Sequence, residues 1–163
     1  MEGTALSTGG WLWIPWDGKA IRLHQESDRG VRTIAFPKWH GSHGSLAPSP
    51  DGTKLLLVGA RMDTIRVSVM SVENGATTLI KSMLSQGAAF AVWLADGSII
   101  LSVWRRPDSG LTIYRLSQSG ATLWTVTVPH PVWSISFSAD MKRAAVTVRE
   151  YRGDASVSRV LRN

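Results

Sequence analysis

The chain has no cysteine among its 163 residues. That excludes a disulfide framework, a thiolate nucleophile and a cysteine-based zinc site, and it leaves the redox compartment open. Charge is also sparse, at 18% Asp, Glu, Lys and Arg, below the usual share for a soluble domain. No apolar stretch approaches the ~18–20 residues that a membrane-spanning helix needs. Residues Met1 to Trp16 carry neither a basic leading segment nor a small-residue cleavage site behind an apolar run, so they do not read as a signal peptide. Localisation stays open.

The usual marks of catalysis are missing as well. There is no Gly-x-Ser-x-Gly elbow, and Gly41-Ser42-His43-Gly44-Ser45 has the wrong spacing to be one. Phosphate-loop and dinucleotide glycine patterns are absent. No pair of carboxylates is set out for acid–base work. The formal charge is +6 and the isoelectric point about 10.3, a balance that suits a nucleic-acid or anionic-membrane partner when the cations cluster. Here they do not. Arg61, Arg66, Arg105, Arg106, Arg115, Arg143, Arg149, Arg159 and Arg162 are scattered, with no basic run and no RNA-binding aromatic motif beside them. The reading is against nucleic acid.

What is present is β-forming. Apolar residues make up 44% of the chain, and Val, Ile, Thr and Trp recur in short runs between small turn residues, which favours strands over helices. The runs repeat. Leu46–Val58, Ala91–Val103 and Ile135–Val148 each place an Asp-centred turn between two β-rich halves, and Asp51, Asp96 and Asp140 stand 45 and 44 residues apart. A second landmark keeps the same register: Gly75 follows Asp51 by 24 residues and Gly120 follows Asp96 by 24. A period of about 40–45 residues is that of four-stranded propeller blades. Asp-Gly and Asn-Gly suit tight hairpin turns, because glycine takes positive φ without steric cost and Asp or Asn bonds its own backbone.

Each unit therefore reads as four strands, with an Asp turn between the first two and a Gly turn between the last two. Strands are expected near Leu46–Pro48, Leu55–Gly59, Ile65–Val72, Ala91–Leu94, Ile99–Trp104, Leu111–Leu116, Trp133–Phe137, Arg143–Val148 and Val157–Leu161. Residues 41–86 and 87–130 make two whole blades, and 131–163 a partial one lacking its last strand. In residues 1–40, Trp11–Gly18 reads as a third strand with its turn and Lys19–His24 as a fourth. Glu26–His43 reads as an insertion that holds a short strand at Val31–Phe36. The fold class is all-β: antiparallel blades forming an incomplete propeller arc. The run Ala144–Val148 is expected to be covered on both faces.

Ser49-Pro50-Asp51-Gly52-Thr53-Lys54-Leu55-Leu56 and Phe137-Ser138-Ala139-Asp140-Met141-Lys142-Arg143 resemble the SPDG-containing repeat of TolB-like, or WD40-like, β-propellers. The middle copy has Leu94-Ala95 for Ser-Pro, and the last has Met141 for the turn glycine. The resemblance covers most of residues 40–163. It implies kinship with bacterial TolB proteins, with propellers attached to eukaryote-like serine/threonine kinases, and with the propellers of prolyl-oligopeptidase-type hydrolases. Asp154–Asn163 resembles the last strand of the kinase-linked group.

Three sets of residues are candidates for a site. His40 and His43, in Trp39-His40-Gly41-Ser42-His43, have a spacing that suits a metal, but two histidines without a third acidic or thiol ligand make a poor site. The segment reads as an entry loop to a blade. Asp51, Asp96 and Asp140 occupy equivalent turns in different blades and read as structural. Of the eight tryptophans, Trp11, Trp13, Trp16, Trp93, Trp104, Trp124 and Trp133 fall in expected strands and read as blade-to-blade packing, with Trp11 and Trp13 near an open face. No catalytic, cofactor-binding or metal-ligating residue is assigned, and no cofactor is expected. The expected role is a non-catalytic module for protein or peptide binding within a larger protein. The alternative is the propeller portion of a hydrolase or kinase whose catalytic domain lies elsewhere. An open arc also leads us to expect self-association through its end faces, or poor solubility.

Overall fold

The computed structural model describes residues 2–6, 9–14, 20–24, 31–35, 42–61, 63–85, 87–104, 110–129, 132–138, 143–152 and 155–161. All regular structure among them is antiparallel β, in four sheets whose strands follow one another in chain order. The first sheet contains β1 (Glu2–Ala5), β2 (Trp11–Ile14), β3 (Ala20–His24) and β4 (Val31–Ala35). The second contains β5 (Ser42–Pro48), β6 (Lys54–Arg61), β7 (Thr64–Ser71) and β8 (Thr77–Leu84). β9 (Ala89–Trp93), β10 (Ile99–Trp104), β11 (Leu111–Leu116) and β12 (Thr122–Val128) form the third. The fourth has three strands: β13 (Val132–Phe137), β14 (Ala144–Arg152) and β15 (Ala155–Leu161).

Neighbouring sheets approach through their first strands, β1 to β5 and β5 to β9. The first strands converge, and the fourth strands form an outer rim. This is the blade arrangement of a β-propeller, and the four sheets are an arc of it.

The period-2 pattern explains how the sheets stack. In β6, Leu55 and Leu57 point one way and Leu56 and Val58 the other. The first pair meets Leu12 and Ile21 of the first sheet, together with Met70. The second pair meets Ile99, Leu101 and Val103 of the third sheet, with Ile65 and Val67. A middle strand is thus apolar on both faces, which is why Leu55-Leu56-Leu57-Val58 runs without a polar break. A third cluster joins Ile100, Leu111 and Ile113 to Val132 and Ile135 of the fourth sheet. Truncating such a fully buried leucine to alanine costs about 2–5 kcal/mol.

The fold class is as expected, while two details of the ends differ. First, Trp11–Ile14 is the second strand of its sheet rather than the third, and Glu2–Ala5 precedes it as the first. Ala20–His24 is the third strand. Val31–Ala35 pairs with it residue for residue as the fourth, instead of lying in an insertion. The turn from β1 to β2 uses Gly9 and Gly10, both at positive φ, so the Asp landmark that marks this turn elsewhere is absent. Second, Ala145 in β14 is exposed. Ala145 pairs with Ser136, next to Ile135, whose side chain packs against the third sheet, so Ala145 points the other way, where no described sheet covers it. Trp11 is 57% exposed while its neighbour Leu12 is fully buried. Leu12 packs against the second sheet, and no described sheet lies against the opposite face.

Candidate functional site

The turn after each first strand is built from its own sequence. In the second sheet, Ser49 and Lys54 close the turn: the Ser49 N–H donates to the Lys54 carbonyl at 2.9 Å, and the Lys54 N–H donates to Ser49 Oγ at 2.9 Å. Inside it, Asp51 Oδ1 accepts the Thr53 N–H at 3.1 Å, the Thr53 hydroxyl at 2.9 Å and the Ser49 hydroxyl at 2.6 Å. Gly52 takes φ +69°. The third sheet repeats the plan with one residue fewer: the Leu94 N–H donates to the Ser98 carbonyl at 2.8 Å, and Asp96 Oδ1 accepts both the Ser98 N–H and hydroxyl. In the fourth, Ser138 and Arg143 close the turn as Ser49 and Lys54 do, at 2.9 and 3.0 Å. Asp140 and Met141 lie outside the described residues.

These contacts set the electrostatics. Hydrogen bonds from the Ser49 hydroxyl, then from the Thr53 N–H and hydroxyl, pull the Asp51 carboxyl down to about 2. Asp96 is lowered by the Ser98 hydroxyl and N–H, and then by Arg115, whose guanidinium pairs with Asp96 Oδ2 at 2.5 Å. Both carboxylates are therefore firmly ionised acceptors, with Asp51 engaged through Oδ1 and Asp96 through both oxygens. A general acid near neutral pH needs its pKa raised toward the working pH, and here the shifts run downward.

Between the two turns lies a cleft of about 230 Å³. Ser49, Pro50, Asp51 and Lys54 form its second-sheet wall. Trp93, Ala95, Asp96 and Gly97 form the other, with Gln118 from the turn between β11 and β12. Trp93 is held in place by its indole N–H, which donates to the Ala47 carbonyl at 3.2 Å. The Gln118 amide lies over Gly97, at φ +77°, where a Cβ would meet it. The lining therefore holds one indole, one ammonium and two carboxylates. The volume falls below the ~300–1,000 Å³ of sites that enclose a drug-sized ligand. It suits a side chain or a short segment of chain.

Sequence reasoning found both aspartates and assigned them to the turns, where the structure places them. It did not foresee the cleft, because its two walls come from residues some forty positions apart. His40, Trp16 and Trp39 lie outside the described residues; His43 belongs to β5. Among the described residues no group of three or more His, Asp or Glu comes together as a metal site, and no helix is long and apolar enough to cross a membrane.

No family model and no curated protein sequence matches the chain. Solved structures do. The β-propeller domain of the Trilobed protease from Pyrococcus furiosus, described as having an open velcro topology, matches 93% of this chain and 48% of its own, with 13% identity and a TM-score of 0.64. An oligogalacturonate lyase in complex with manganese matches 96% of this chain and 49% of its own, with 11% identity and a TM-score of 0.71. TolB from Acinetobacter baumannii matches 98% and 40%, with 17% identity and a TM-score of 0.63. The chain spans less than half the length of each. At these identities the likeness establishes the β-propeller fold.

Proposed function

We propose that this propeller arc is a non-catalytic binding module, taking an extended segment of a protein or peptide partner into the cleft between its second and third blades. The observation that carries the reading is the cleft itself: a lining of one indole, one lysine and two ionised carboxylates, sized for a side chain and framed by turns closed by hydrogen bonds. Rigid blades with exposed turns are a general platform for recognition, since turn residues change without disturbing the sheets. Lys54 offers a charge to an acidic residue of the partner, and Gln118 offers an amide to its backbone.

Selection of peptides from a displayed random library on the purified chain tests this. Bound peptides are expected to lose affinity about tenfold or more on Lys54→Glu, the range seen when one charge-assisted contact is removed. The Trp11→Ser variant should bind as the parent does. Failure to select any peptide, or peptides indifferent to Lys54→Glu and Gln118→Ala, would overturn the assignment. The same preparation is expected to show no ester, peptide or ATP hydrolysis.

A second reading is favoured by one observation: the structures it resembles include the propeller domain of a protease and a lyase. In that reading the arc belongs to an enzyme whose reacting groups lie outside these residues. The coding sequence on either side of the chain discriminates between the two.

A further inference from the structure

Three polar groups lining the cleft between the second and third blades are not used by the chain itself. Asp51 commits Oδ1 to Ser49 and Thr53, while its Oδ2 has no partner among the described residues. The Lys54 ammonium and the Gln118 amide have none either, and all three residues are exposed. Lys54 closes its turn through the main chain alone. Its side chain shares a face of β6 with Leu56 and Val58, the face turned to the third blade. It therefore reaches toward the cleft without holding the turn together.

The same turn one blade on is saturated. Ser98, the counterpart of Lys54, bonds Asp96 Oδ1, and Arg115, which pairs with Ile100 across the ladder, takes Oδ2. In the second blade Val69 stands where Arg115 stands, paired with Leu56, and an apolar side chain leaves Asp51 Oδ2 open. Trp93 is half-buried with its N–H committed to the Ala47 carbonyl, so it has only apolar ring surface to offer. The cleft thus presents one carboxylate oxygen, one ammonium, one amide and one indole.

We propose that the cleft captures the C-terminal residue of its protein or peptide partner. This rests on the reading of the cleft as a peptide-binding site and names the part of the peptide it takes. The last residue of a chain carries an α-carboxylate and an amide N–H on one Cα. The carboxylate meets the Lys54 ammonium and the Gln118 amide N–H, and the charge-assisted bond is the strong one. The terminal N–H donates to Asp51 Oδ2. The side chain is then left to lie on Trp93, which favours an apolar or aromatic last residue. An internal acidic residue would spend its side chain on Lys54 and leave the indole bare. Its chain would also have to run on in both directions from a cleft of about 230 Å³. An internal neutral residue leaves the ammonium without a counter-charge. Capture of a chain terminus is a recurring mode of peptide recognition.

Random short peptides with free α-carboxylates, selected on the purified full chain, supply the probes. Each selected peptide is then made as the acid and as the C-terminal amide, and titrated against the parent and Lys54→Met. The amide is expected to bind the parent about tenfold more weakly than the acid, the loss of one charge-assisted bond. Lys54→Met keeps the aliphatic stem and the turn, so it should erase most of that gap with Tm unchanged. Methylating the last amide nitrogen, which removes the donor to Asp51, should weaken the acid form as well. Acid and amide binding the parent equally, or a gap that persists in Lys54→Met, would overturn terminal capture and leave peptide binding by the cleft standing. Affinity that survives amidation and falls when an internal acidic residue is neutralised would do the same. Failure to select any peptide would remove both.

Discussion

Trp93 donates its indole N–H to the carbonyl of Ala47, 3.2 Å away in the preceding blade. Trp104 does the same toward the following one, reaching the Val132 carbonyl at 3.2 Å, and the Ala91 N–H meets Ser45 Oγ at 3.2 Å beside the first of these. The third blade is thus stitched to both neighbours by directional bonds as well as by apolar packing. A first strand lying beside another blade's first strand has no ladder partner on that side, and the indoles supply donors to it.

Trp93→Phe keeps most of the apolar surface and removes the donor. It is expected to destabilise the chain by about 1–2 kcal/mol, from the lost bond and an unsatisfied carbonyl, seen as a fall of several degrees in Tm. Trp11→Phe, on an exposed face, should stay within about 0.5 kcal/mol of the parent.

Gly120, at φ +86°, sits in the turn before β12, and a Cβ there would overlap the Ile80 carbonyl of the second blade. Gly120→Ala combines left-handed strain of about 1–2 kcal/mol with a backbone collision, so chemical denaturation should report a loss above 2 kcal/mol. Gly97→Ala carries the strain alone, because what its Cβ meets is the movable end of Gln118. The two glycines occupy similar turns, and the difference between them measures how tightly the blades abut.

Asp51 titrates at about 2 in the folded chain, against 3.8 for an unperturbed carboxyl. A folded value below the unfolded one means that ionisation favours folding. The contribution is complete above the unfolded value and disappears as pH falls through about 2. The gap in Tm between the parent and Asp51→Ala is therefore expected to be constant near neutrality and to close below about pH 4. Asp96→Ala should behave in the same sense, because Ser98 and Arg115 depress that carboxyl too.

Local chemistry explains what could be read in advance. Ser49–Lys54 and Leu94–Ser98 form turns from contacts among near neighbours, so residue type and spacing sufficed to locate them. The middle strands announced themselves by unbroken apolar runs. The first blade was harder: Glu2–Ala5 has no apolar alternation, and Gly9-Gly10 replaces the Asp turn that marks the unit elsewhere. Trp11-Leu12-Trp13-Ile14 consequently looked like a third strand. β8 and β12 were expected only as unnumbered members of the repeat, since an outer strand is under little pressure to alternate. The cleft was beyond reach, because Lys54 and Gln118 become neighbours only when two blades stack.

The three apolar clusters each belong to one junction between consecutive sheets, and no cluster spans more than two sheets. Energetically such a chain is a row of nearest-neighbour couplings. A substitution at one junction is felt there and hardly at the next, so damage stays local and cooperativity falls off along the arc. The same modularity lets a row of this kind lengthen or shorten by whole units during descent, each newcomer needing only to match the faces on either side.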